Sequence, residues 1–174
     1  MKGNGNANGS PPTPFAAAEE FAGFLLAHAI WSVSEGDTLT PMIGYVKDGE
    51  RTIMQIDGEI KKAVENGQAW MEANPEQAER AVFIYDGFVH LPSGRTDALT
   101  GTIHEYGPPL MSLGVVIPYR SAKSGRFAVH RPKFQAPKGI PDSGLLGLGE
   151  AFFRGVNSHD EGARIWNAHL DQSI

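Results

Sequence analysis

The chain has 174 residues, a mass of 18.8 kDa and a formal charge of −5. That is the size of one domain with a core of its own, and a mildly acidic balance points away from bulk nucleic-acid binding. The absence of cysteine excludes disulfides, thiolate nucleophiles and cysteine-ligated metal centres together.

Residues 1–12 are mostly Gly, Asn, Ser and Pro with one charge, a composition that predicts a disordered tail. No signal-peptide core follows Lys2. The first apolar stretch, 21–31, is too short to span a membrane and contains His28. The expectation is a soluble, cytoplasmic chain. A first helix is predicted from Thr13, with Pro14 at its first position. Its apolar residues form two stripes, one through Ala18, Ala22, Leu25 and Ala29, the other through Phe21, Phe24, His28 and Trp31. A helix apolar on most sides is buried on most sides, which points to a central or oligomer-interface helix.

Runs at 39–46 and 51–56 flank Asp48-Gly49, a hairpin signal. Asp57 is expected to cap a second helix, with a stripe of Ile60, Val64, Gly67, Trp70 and Met71 that ends at Asn74-Pro75. The period then changes to two. Strands are predicted at 81–90, 96–106, 110–120 and 126–131. The 91–95 segment suits a three-residue turn with a bulge, which would pair Leu91 with Arg95 and Phe83 with Ile103. Proline and glycine crowd the stretch from Pro132 to Gly149, which reads as an extended arm with short helices beyond it.

The expected fold is therefore α+β. An antiparallel sheet, built from a hairpin and a four-strand meander, would be covered on one face by two helices. The domain would occupy 13–131 and the C-terminal arm 132–174.

With that pairing, Phe83, Tyr85, Val89, Leu91, Leu99 and Ile103 form a core face. Asp86, His90 and His104 share the other, half-polar face with a row of threonines. That face is either an ordinary wet surface or a shallow site with a histidine as acid or base. No two of the six histidines lie three to five residues apart, so no metal is expected. No nucleophile elbow or phosphate loop appears, and no cofactor is implied; 144–149 is glycine-rich but follows no strand. Arg120, Lys123, Arg126 and Arg131, with His130, Lys133 and Lys138, make the one sizeable basic cluster, a candidate anion site.

Tyr85-Asp86-Gly87-Phe88 followed by Arg95-Thr96-Asp97-Ala98 resembles a hairpin of small uncharacterised bacterial proteins. The resemblance covers less than a tenth of the chain. It implies no activity, and singles out Asp86, Gly87, Arg95, Thr96 and Asp97. Three functions are open at this point. The two-sided helix and the arm favour a non-enzymatic protein that self-associates or binds a protein partner. The face with Asp86, His90 and His104 favours a small-ligand binder or an enzyme. The 120–138 region favours an anion binder.

Overall fold

A computed structural model describes residues 15–173. The expected disordered tail and the Thr13-Pro14 helix start lie outside the described residues. The chain forms an α+β fold with a seven-stranded antiparallel sheet in the order β2-β1-β3-β4-β5-β6, and β7 also pairs with β5. The strands are β1 (Met42–Lys47), β2 (Glu50–Gln55), β3 (Arg80–Leu91), β4 (Gly94–Glu105), β5 (Met111–Arg120), β6 (Ala128–Val129) and β7 (Lys133–Lys138). The helices are α1 (Ala16–Val33), α2 (Ile60–Ala73), α3 (Asp142–Leu145), α4 (Glu150–Asn157) and α5 (Asp160–Ala168).

The first hairpin turns where the sequence predicts it. Asp48 and Gly49 both adopt positive φ, 50° and 77°, as a two-residue turn with the strands' own twist requires. Helix α2 is capped by Glu59 rather than by Asp57. The Glu59 carboxylate accepts from the Lys61 amide at 3.3 Å. Asn74, at φ 42°, ends the helix in the left-handed region, and its side chain bonds both backbone groups of Ala78.

The β3–β4 register differs from the expected one by one residue. Leu91 pairs with Gly94, His90 with Arg95, Asp86 with Leu99 and Val82 with Ile103. Only Pro92 and Ser93 lie in the turn, and Gly94 takes the positive φ of 116°. A one-residue slip reverses every side chain of β4 relative to β3. The main core face is therefore Val82 and Ile84 with Leu99, Ile103, Leu113, Val115, Ile117 and Tyr119. Phe83 and Ala81 lie on the opposite face with Ile43 and Met71.

The two predicted helices consequently cover opposite faces. Helix α1 lies on the Val82–Ile84 side, and α2 lies on Phe83, whose ring fills the space a Cβ at Gly67 would need. The residues expected as an arm supply an edge strand and three helices. In β7, Ala136 at φ 51° and Pro137 fall where the register with β5 shifts, and an edge strand tolerates proline there. Helices α4 and α5 pack on the side of α1 away from the sheet. The stripe of α1 through Ala18, Ala22, Leu25 and Ala29 is thus buried inside one chain, whereas of the other only Phe21 is buried, Phe24 and His28 are half-buried and Trp31 is 43% exposed.

Candidate functional site

Beyond the end of α1, the core face of the sheet becomes polar. The register places Asp86, Phe88 and His90 of β3 beside Leu99, Asp97 and Arg95 of β4, and Tyr119 of β5 beside Asp97. The Tyr119 hydroxyl donates to the Asp86 carboxylate, 3.0 and 2.9 Å from its two oxygens. Burial pushes the Asp86 carboxyl up, and the nearby Asp97 charge adds to this. The Tyr119 bond and the Leu39 and Gly87 amides oppose it. Burial first, then Asp86, holds the Tyr119 phenol well above its usual range. Tyr119 is therefore a hydrogen-bond donor and not a base or nucleophile at neutral pH.

This pair stands beside a cleft of about 440 Å³. Arg95, Asp97 and Ser93 come from the hairpin end, and Tyr119 and Arg120 from the end of β5. Ser121 and Ser124 follow in the next turn, His130 lies after β6, and Asp171 and Ser173 belong to the C-terminal segment. That segment is tied down along β6: the Val129 amide donates to His169 O at 2.9 Å and the Asp171 amide to Val129 O at 2.8 Å. His130 is only 6% exposed. Its Nδ1 lies 3.3 Å from the Asp171 carbonyl, which can only accept, so Nδ1 donates there. Hydrogen bonds from Ser173, with the fields of His130 and Arg120, hold the exposed Asp171 carboxyl below its usual range. The Arg95 guanidinium lies 4.0 Å from the centre of the half-exposed Phe88 ring, with His90 edge-on to that ring at 5.6 Å. Stacking restricts the guanidinium plane, and its donors meet no hydrogen-bond acceptor among the described residues.

The expected trio of Asp86, His90 and His104 is not one cluster. The register slip sends His104 to the opposite face, against Tyr106 near α2, while His90 sits exposed at the hairpin end. Arg95 and Asp97 do line the cleft. The basic cluster is divided. Arg120 lines the cleft, with its Nε on the Arg126 carbonyl, and Arg126 lines an adjoining concavity. Arg131 bonds Gln172 at 2.6 Å, and Lys123 lies against Gly36. Tyr119 and Asp171 were not among the expected site residues, and His130 was expected only as a member of the basic cluster. Tyr119 reads from the pattern as core, and nothing local in the sequence ties Asp171 to His130. Among the described residues, no three His, Asp or Glu side chains are grouped to hold a metal ion. No described helix is long and apolar enough to cross a membrane.

Compared with known proteins, the chain matches no family model, and no curated protein or solved structure shows significant similarity to it.

Proposed function

We propose that the cleft binds a small zwitterionic solute, of the kind represented by a free α-amino acid. One observation carries this reading: two arginines, two aspartates and several hydroxyl-bearing residues line one concavity. Its volume of about 440 Å³ falls within the roughly 300–1,000 Å³ of small-molecule sites. Arg95 and Arg120 suit a carboxylate, which they can take as a planar two-point partner. Asp97 and Asp171 suit an ammonium or amide donor. The opposed charges leave the cleft near neutral, so a polyanion would meet two carboxylates there. This counts against the nucleic-acid reading of the basic region.

A thermal-shift panel of amino acids, inorganic phosphate and neutral sugars tests the proposal. A binder present at about 100 times its Kd stabilises by about 2.7 kcal/mol, which raises Tm by roughly 5–10 °C. The expected result is such a rise with an amino acid, lost in Arg120→Gln and at least about tenfold weaker in Asp97→Asn. No rise with any zwitterion at millimolar concentration, or a rise that survives both substitutions, overturns it.

Self-association has one observation in its favour. The outer edge of β2 pairs with no strand among the described residues, and Ile53 on it is 46% exposed. Light scattering on the full chain decides it. A mass of one chain at micromolar concentration removes that reading, and a dimer broken by Ile53→Lys supports it.

A further inference from the structure

Away from the cleft, two histidine rings meet between α1 and the start of α5. His28 Nδ1 and His159 Nε2 are 3.1 Å apart. The Gly162 amide donates to His159 Nδ1 at 3.0 Å, so His159 is also the N-cap of α5. These contacts fix the protons. Nδ1 of His159 must be the acceptor, so its Nε2 carries the hydrogen and donates to His28 Nδ1. The arrangement has one direction and requires both rings to be neutral. Phe24 and Trp31 flank the pair, with ring centres 5.1 and 5.8 Å from that of His159.

We infer that His28 and His159 form a neutral hydrogen-bonded latch that holds α5, and the C-terminal segment leading from it into the cleft wall, against α1, and that acid opens it. A proton on His28 Nδ1 removes the acceptor. A proton on His159 Nδ1 removes the cap of α5. A second cation beside the first is repelled. Burial first, then the His159 ring, holds the His28 imidazole below its usual range. The charged groups on the adjoining elements are engaged elsewhere or lie beyond the rings. Arg51 of β2 sits over Phe24 at 5.4 Å, Arg154 of α4 pairs with Glu20 of α1 at 3.5 Å, and Glu161 pairs with Arg164 at 2.7 Å. Asp160 follows His159 as the first residue of α5. Residues 169–171 run directly from α5 onto β6, and Asp171 lines the cleft. The latch therefore regulates the cleft, a link that rests on the binding reading above; the latch itself does not depend on it.

The pair could instead be read as a metal chelate. Chelation through His159 Nε2 needs the hydrogen on Nδ1, where the Gly162 amide already donates, so the two readings predict opposite tautomers.

Hydrogen exchange and the tautomer together test the inference on the full chain with no ligand added. Long-range nitrogen–proton correlations at about pH 7.5 should show His159 with its hydrogen on Nε2. Protection of the α5 amides, corrected for intrinsic rates, should fall at least about tenfold between about pH 7.5 and pH 5, since each unit of pH below a pKa is worth up to tenfold. Protection of the Val129 and Asp171 amides should fall with it. In the His28→Gln, His159→Asn double variant the acceptor and the cap remain but neither titrates, so protection should be flat over that range. The His159 hydrogen on Nδ1, unchanged wild-type protection, or the same loss in the double variant overturns the latch. Loss in α5 with Val129 and Asp171 still protected overturns its link to the cleft. Failure of the cleft to bind amino acids is read separately, in the thermal-shift panel, and leaves the exchange result standing.

Discussion

Glu19→Gln should stabilise the chain by roughly 2–3 kcal/mol above pH 7 and by almost nothing near pH 4. Glu19 lies in the first turn of α1 and is 1% exposed, and its Oε1 has no hydrogen-bond partner among the described residues. Burial pushes its carboxyl up to about 7, with Arg154 opposing. The sign follows from proton counting. Between about pH 4.5 and 7 the folded chain holds a proton on Glu19 that the unfolded chain has lost. Raising the pH removes that proton, so stability falls across the window and levels off above it. Glutamine keeps the shape and never ionises, so it removes the slope. His28 titrates in the opposite sense: its lowered value makes acid destabilising below about pH 6.5. Subtracting wild type from Glu19→Gln at each pH cancels that contribution. Urea unfolding at several pH values measures the difference. A constant difference from pH 4 to pH 8 would show that Glu19 titrates alike in the folded and unfolded chains and would contradict the raised carboxyl.

Gly155→Ala should cost about 2–3 kcal/mol, with Tm lower by roughly 6–9 °C. Gly155 of α4 faces the backbone of α1, where a Cβ would strike the Glu20 carbonyl. Gly23 of α1 meets α4 in the same way, against the Phe152 carbonyl. Neither glycine has an unusual φ, so close approach of the two helices, and not turn geometry, requires them. One methyl forces the helices apart and loosens Phe152, Val156 and Trp166, which are fully buried against α1. Gly23→Ala should cost a similar amount. The double variant should cost less than the sum, because the first methyl already separates the pair. Gly87→Ala is the control: the nearest atom to its added Cβ is 3.7 Å away, and its effect should stay within about 0.5 kcal/mol. Thermal unfolding by circular dichroism reads all four. A neutral Gly155→Ala would mean that α4 does not seat on α1 as described.

Much of the fold is legible in the residues. Asp48-Gly49, the period-two runs of β3 to β5 and the buried α1 stripe through Ala18, Ala22, Leu25 and Ala29 each correspond to what is observed. The β3–β4 register was not legible. Pro92-Ser93-Gly94 suits turns of two or three residues equally well, and both leave alternating side chains on each strand. Choosing between them decides which face His104 occupies, so one ambiguous turn moved a whole candidate site. The C-terminal helices carry too few apolar residues for a core of their own, and their place on α1 was not assigned. Gly23, Gly155 and Gly162 were a usable signal, since a glycine inside a helical pattern costs stability and usually marks a close packing contact. The cleft escaped sequence reasoning for a different reason. Arg95 and Asp97 are local to the hairpin, but His130 and Asp171 join them through β6 and a segment 41 residues further on. No local spacing encodes that contact.

The central claim is that the cleft at the end of the sheet is where this chain meets its ligand. The most direct measurement is a nitrogen–proton chemical-shift titration of the full, labelled chain with the amino acid that gives the largest thermal shift, or with glutamate if none stands out. Saturable shifts at Arg95, Asp97, Arg120, Ser121, His130 and Asp171, with little change elsewhere, are the predicted result. No saturable shift at millimolar ligand, or shifts centred on the opposite face around His104 and Tyr106, would contradict the account.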